Sequence, residues 1–333
     1  MAINLFSGGN YVNSLTAAGK NKIINGDFGV WQRGTSFASA ADSTYFADRF
    51  ITNWSAGGAT NTFSRQTFTP GTAPVSGYEG TYFARCAATG ATGTTQIGLG
   101  QRIEDVRTFA GQTVTFSFWA KGDSARTLSY YIQQNFGSGG SATVNASGTI
   151  GSITTSWARY SVTVTLGAMT GKTIGTSSYL QWDIYAASQT GAPNIDIWGV
   201  QLELGTTATT FTTATGTIQG QLAACQRYYY THCSGQPFAI GLGTMEQSTL
   251  LMINIKFPVN MRIAPTLVTV TGTNFYTFER NGAVDYFNSL TIINSQPTNT
   301  FIYNSTDVSG TVGWSGRVAT LDATSLVAFN AEL

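Results

Sequence analysis

The chain has 333 residues, 42% of them apolar and 13% aromatic, enough to bury a large core or to fold as two domains. Only 10% are charged, well under the roughly 25% of ordinary globular chains. The formal net charge of +1 gives no field to gather nucleic acid or an anionic membrane, and no segment approaches the ~20 apolar residues of a membrane span.

The opening "MAINLFSGGNYVNSLTAAGK", residues 1–20, precedes the first strand pattern and reads as an N-terminal arm, either disordered or an anchor to something larger. It carries no basic segment followed by an apolar stretch, so no secretory signal is expected. Next comes "NKIINGDFGVWQRGTSF", Asn21 to Phe37, with two turn signals, NGD and WQRG, close together. Strand patterns then dominate. "TVTFSFWAKG" (Thr113 to Gly122) alternates Val114, Phe116 and Phe118 against Thr115, Ser117 and Trp119. "TLSYYIQQNF", "WARYSVTVTL" and "SYLQWDIYAA" repeat the style, rich in β-branched and aromatic residues and separated by Gly, Ser and Asn clusters. This pattern predicts an antiparallel sandwich or jelly roll over residues 21–213.

The Thr-rich "LGTTATTFTTATG" marks the end of that domain. In "TIQGQLAACQRYYYTH", Thr217 to His232, the residues Ile218, Leu222, Cys225 and Tyr229 follow a 4-3-4 spacing that lines one helix face. Residues 214–232 therefore read as a short helical or extended connector. "STLLMINIKFPVNMRIAPTLVTVTG" opens a second strand-rich block, and 233–333 reads as a C-terminal β-sandwich. The expected fold is all-β: two antiparallel sandwich domains.

Chemistry finds few footholds. His232 is the one histidine, and its neighbour Cys233 lacks any catalytic signature or zinc-knuckle spacing with Cys225. Three scattered cysteines, Cys86, Cys225 and Cys233, suit reduced thiols in a cytoplasm rather than a disulfide framework. Asp183 in "LQWDIY" and Asp196 in "NIDIWG" form the one carboxylate pair worth testing for glycoside hydrolysis. "FGSGGSA" lacks the Lys-Thr and strand–helix setting of a phosphate loop. A calcium ion held by Asp27 and Asp196 is a further option, ranked below a plain turn; no cofactor or metal is expected.

Aromatic residues are the main resource. A ring stacks on the apolar face of a pyranose while amides and carboxylates take its hydroxyls, and low charge suits a neutral sugar. Trp31, Tyr45, Trp54 and Tyr78 lie in turn-like stretches and are the candidate glycan contacts; aromatics at alternate strand positions, Trp182 among them, read as core. Trp54 ranks first, because the Gly-rich "TNWSAGG" would leave its face open. Arg33 and Arg49 are expected to pair with Asp27, Asp42 or Asp48.

"KIINGDFGVWQRGTSF" with "YFADRF", then "FSFWAKG", "SWARYSVTVTL" and "IDIWGVQLELGTTATTF", resemble the jelly-roll domains of bacteriophage tail-fibre and related virion proteins. "LAACQRYYY" is similar to the usual join of that family, and "IKFPVNMRIAPTLV" with "AFNAEL" to its C-terminal β-domain. The first domain also resembles carbohydrate-binding jelly rolls that open Asn-Gly-x-Phe-Glu and bind calcium, with Gly29 standing at the Glu position. The resemblance implies a non-enzymatic tail-fibre or receptor-binding protein, made in a bacterial host cytoplasm and located in the virion. It implies a homotrimer packed through Ile218, Leu222, Cys225 and Tyr229, with other virion proteins, met through the N-terminal arm, and a host-surface glycan as partners. A capsid-decorating or tail-adaptor protein is the alternative, and a glycan depolymerase using Asp183 and Asp196 the third reading.

Overall fold

A computed structural model describes residues 19–280 and 282–333; the expected arm falls largely outside them. The chain is nearly all β and divides into two compact units. One comprises residues through Gly29 together with Thr35–Gln221; the other joins the short segment Val30–Gly34 to Leu222–Leu333.

The first unit contains β1 (Ser36–Ala38), β2 (Phe50–Ser55), β3 (Thr60–Thr67), β4 (Tyr82–Thr89), β5 (Ala91–Glu104), β6 (Thr113–Gly122), β7 (Arg126–Asn135), β8 (Val144–Ile153), β9 (Ala158–Thr165), β10 (Tyr179–Gly191) and β11 (Asn194–Leu204). They form a six-stranded sheet, β1-β3-β4-β11-β6-β9, and a five-stranded sheet, β2-β5-β10-β7-β8, antiparallel throughout. Period-two alternation assigns the faces. Leu180, Trp182, Ile184 and Ala186 are buried, and the Trp182 ring packs 4.5 Å from Phe116 of the other sheet. These residues therefore fill the space between the sheets, and Tyr179, Gln181, Asp183 and Tyr185 point away from it.

The outward face of the six-stranded sheet is roofed. Trp119 and Trp198 lie on it, and Phe68, Tyr78 and Phe211 fold over them from flanking segments, with Trp198 5.0 Å from Phe211 and 5.5 Å from Tyr78. This aromatic layer makes a second small core. Gly80 is obligatory beneath it, since a Cβ there would sit 2.8 Å from Trp198 Nε1.

In the second unit, β12 (Tyr229–Ser234), β13 (Ala239–Gln247), β14 (Leu250–Lys256), β15 (Thr266–Thr269), β16 (Tyr276–Arg280), β17 (Ala283–Phe287), β18 (Thr291–Ile293), β19 (Asn299–Asn304), β20 (Ser315–Thr320) and β21 (Leu326–Asn330) form two sheets. A seven-stranded sheet, β17-β16-β20-β13-β14-β19-β18, shares one core with the three-stranded β12-β21-β15. Ile253, Phe278, Ile302 and Val318 enter it from the first, and Val327 and Phe329 from the second.

The turn segment Val30–Gly34 belongs to this second unit. Gln32 donates through Nε2 to the Tyr229 carbonyl at 2.7 Å, and the Thr231 hydroxyl donates to the Gln32 carbonyl at 3.1 Å. Arg33 stacks 3.7 Å over the Tyr229 ring and pairs with Glu332 at 3.0 Å, a partner outside the expected Asp27, Asp42 and Asp48. Arg49 is almost wholly buried and donates to the Arg102 carbonyl.

The helix α1 (Ile218–Gln226) is shorter than the 217–232 pattern suggests. Tyr229 already pairs with Asn330 in β12, where ladder bonds outweigh continuation of a short helix through three consecutive tyrosines. The proposed apolar stripe is corrected accordingly. Ile218 is 85% exposed and Leu222 39%, but Cys225 and Tyr229 are buried within the chain, so neither is available to line a trimer axis.

Candidate functional site

With the outward face of the six-stranded sheet roofed, that of the five-stranded sheet is the more open one: it is exposed at β8 and half-buried at β7, while Ile51 and Asp183 on it are buried. Strand register places its side chains in rows. Across one row lie Tyr45, Ile51, Gly100, Asp183, Tyr131 and Ser147, Tyr45 joining by a single bridge to Ile51. A second row holds Asn53, Gly98, Tyr185, Ser129 and Thr149, and a third Arg102, Gln181, Gln133 and Asn145. Glu104, Tyr179 and Asn135 complete the face. Tyr131, Tyr179 and Tyr185 are half-buried, and Asn145, Ser147 and Thr149 exposed.

Two glycines set its relief. A Cβ on Gly100 would lie 2.0 Å from Asp183 Oδ1, and one on Gly98 would lie 1.9 Å from the Ile184 carbonyl oxygen. Both glycines are buried, and the space a side chain would take at Gly100 is filled by the Asp183 carboxylate. The side chains around it are tied together. Gln181 donates through Nε2 to Asp183 Oδ2 at 2.9 Å, and Arg102 donates through Nε to Gln181 Oε1 at 3.0 Å. The Arg102 guanidinium lies 5.0 Å over the Tyr179 ring. Asn135 donates to the Tyr179 hydroxyl at 3.0 Å, and Gln133 to that of Tyr131 at 3.0 Å.

Asp183 is 1% exposed. Burial pushes its carboxyl up to about 6, while hydrogen bonds from Gln181 and Asn53 pull the other way; Asp42 adds to the rise and Arg102 opposes it.

Of the four aromatics singled out from sequence, only Tyr45 lies on this face, at its β2 edge, with Arg49 6.0 Å from its ring centre. Trp54 pairs with the buried Ile97 and so points to the opposite side of the same sheet, where it lines a small depression of about 220 Å³ with Ser39, Ala40, Ala59, Thr60 and Asn61. Tyr78 is part of the aromatic roof. Its hydroxyl donates to Asp27 Oδ2 at 2.7 Å, and burial, with Asp27 alongside, pushes its titration far above the ordinary range. Trp31 belongs to the Val30–Gly34 segment of the second unit. Four residues of the face, Tyr179, Gln181, Asp183 and Tyr185, stand at every second position of "SYLQWDIYAA", a period that separates them from Leu180, Trp182, Ile184 and Ala186.

The carboxylate pair does not converge. Asp183 faces outward from one sheet and Asp196 from the other, where Arg85 grips it through two bonds of 2.7 and 2.8 Å and Lys121 stands 3.7 Å away. Those two cations occupy the carboxylate offered for calcium, and Asp27 is engaged by Tyr78. Among the described residues no group of three His, Cys, Asp or Glu side chains could hold a metal ion. His232 uses both ring nitrogens structurally, Nε2 to the Ile240 carbonyl at 2.7 Å and Nδ1 to the Tyr230 hydroxyl at 3.1 Å.

Residues 21–178 match a family model described as a carbohydrate binding domain, a span of under half the chain. A comparison with curated proteins gave no match. Among solved structures, one described as "CBM4 structure and function" is 21% identical over 54% of this chain and 98% of its own, with a TM-score of 0.33. The enzymatically active domain of tailspike protein 4 of bacteriophage CBA120 is 15% identical over 56% of this chain, at a TM-score of 0.34. The match takes in 22% of that tailspike chain. A putative sugar binding protein from Bacteroides thetaiotaomicron is 13% identical over 56% of this chain and all of its own, at 0.32.

Proposed function

We propose that the first unit is a non-catalytic carbohydrate-binding sandwich that holds a glycan on the open face of its five-stranded sheet. The observation that carries this reading is the composition of that face: four tyrosines, Tyr45, Tyr131, Tyr179 and Tyr185, with a set of amides, on the unit that matches a carbohydrate binding domain. Tyrosine rings offer apolar area to a sugar ring, and the amides offer paired donors and acceptors to its hydroxyls. One cation, Arg102, and two carboxylates, Asp183 and Glu104, leave the face suited to a neutral or weakly charged glycan. No hydrolytic step is assigned, since Asp183 and Asp196 look out from opposite sheets.

The finer reading is a homotrimeric tail-fibre or receptor-binding protein of a phage virion that recognises a host-surface glycan. Its support is the ordered set of motifs from "KIINGDFGVWQRGTSF" to "AFNAEL". A panel of soluble oligosaccharides, including cellohexaose, xylohexaose and a galactan oligomer, titrated calorimetrically into the full chain tests the binding claim. Saturable binding that Tyr131→Ala and Tyr185→Ala each weaken is the expected result. Binding that both variants leave untouched overturns the placement, and reducing-sugar release from any panel member overturns the non-catalytic assignment.

A further inference from the structure

Two amides on the open face converge on one carboxylate from opposite sides. Asp183 accepts from Gln181 Nε2, at 2.9 Å to Oδ2 and 3.2 Å to Oδ1, and it also accepts from the Asn53 side chain. Each amide has one way to do this, with its NH2 toward Asp183 and its carbonyl oxygen turned away. Those oxygens are used in turn: Gln181 Oε1 accepts from Arg102, and Asn53 Oδ1 accepts from Gln96. The orientation of both amides therefore follows from the carboxylate being an acceptor only.

A neutral Asp183 would carry one O–H donor. An amide that turned its carbonyl to that donor would aim its own NH2 at Arg102 or Gln96, both donors, and would release them. We infer that Asp183 is a charge-controlled positioning residue: its protonation state sets the donor–acceptor polarity of this face and so switches its hold on a sugar. The ligand in this inference rests on the glycan reading above; the orientation of the amides does not.

The charged and titratable groups around Asp183 are few. β5 contributes Arg102 and Glu104, β7 Tyr131, and β10 Tyr179 and Tyr185; β2 faces it with the neutral Asn53, and the segment ahead of β2 contributes Asp42, Tyr45 and Arg49. Burial dominates this balance and moves the carboxyl's titration to about 6, within the range of mild acidification.

The test is a pH titration of the full chain followed by side-chain nuclear magnetic resonance, beside affinity electrophoresis in gels carrying xylan or hydroxyethylcellulose. The Asp183 carboxyl carbon is expected to titrate near 6, with the side-chain amide signals of Gln181 and Asn53 following the same curve. In Asp183→Asn those amide signals should stay flat, and retardation of the wild type should change about fivefold or more between acidic and neutral gels while that of the variant does not, the loss of about one hydrogen bond. Amide signals that stay flat while Asp183 titrates overturn the inference, as does clear wild-type retardation that does not change with pH. Amides that follow Asp183 in a protein retarded by neither polymer nor bound by any panel sugar would uphold the positioning role and sink the glycan reading, so the two failures remain separable.

Discussion

Asp183 concentrates the residue-scale physics of the first unit. A buried carboxyl whose titration rises from 3.8 to about 6 on folding binds its proton more tightly in the native state. The stability it contributes is therefore fully present below about pH 4, falls as pH rises toward 6, and is gone above that. The shift corresponds to about 3 kcal/mol. Asp183→Asn has no such titration, so denaturant unfolding should show wild type losing ground to the variant between about pH 4 and 7, and a constant difference across that window would refute the burial argument. Gly100 makes a second residue-scale claim. Gly100→Ala puts a methyl 2.0 Å from Asp183 Oδ1 and 2.6 Å from the Trp182 carbonyl oxygen. Overpacking of this kind costs about 1–3 kcal/mol, to be read from the shift in unfolding midpoint. The three cysteines are free thiols buried in the core, with Cys233 pushed up to about 11 by burial. Alkylation should be slow in the native protein and reach three adducts once it is denatured without reductant; a stable single-adduct species would mean a disulfide.

At the scale of elements, the alternation of apolar and polar residues made the strands of the first unit legible in sequence. "TVTFSFWAKG" is β6 and "SYLQWDIYAA" lies within β10, because a two-residue period survives any tertiary context that buries one face. The site was less legible. Which of two sheet faces stays open depends on where Phe68, Tyr78 and Phe211 fold, and no local pattern encodes that. Loop position was a poor guide to exposure for the same reason. Tyr78 sits in a Gly-rich turn yet packs on Trp198, and Trp54 sits in a strand with its side chain on the inner side of the sheet. The turn "WQRG" offers Arg33 to the nearby carboxylates Asp27, Asp42 and Asp48, whereas it pairs with Glu332, 299 residues away in sequence. That pair is nearly buried, with side-chain exposures of 10% and 4%. Arg33→Ala removes a nearly buried charge partner of Glu332 and should cost about 3 kcal/mol, detectable as a lower unfolding midpoint of the second unit with the first unchanged; equal shifts in both would contradict it.

At the scale of the whole molecule, the chain passes from one unit to the other inside α1, and the short Val30–Gly34 segment also belongs to the second unit. The exposed Ile218 and Leu222 remain on α1 as the apolar residues free to meet another chain. If the protein trimerises through them, Leu222→Asp should lower the mass seen by light scattering toward that of one chain without changing the melting temperature. The central claim concerns the open sheet face, and calorimetric titration of a panel glycan into wild type, Tyr131→Ala, Tyr185→Ala and Trp54→Ala tests it most directly. The two tyrosine variants are predicted to lose about tenfold or more in affinity, as expected for aromatic anchors, while Trp54→Ala binds as wild type does. Affinity lost in Trp54→Ala and kept in both tyrosine variants, with all three proteins folded, would place the site elsewhere and contradict the account.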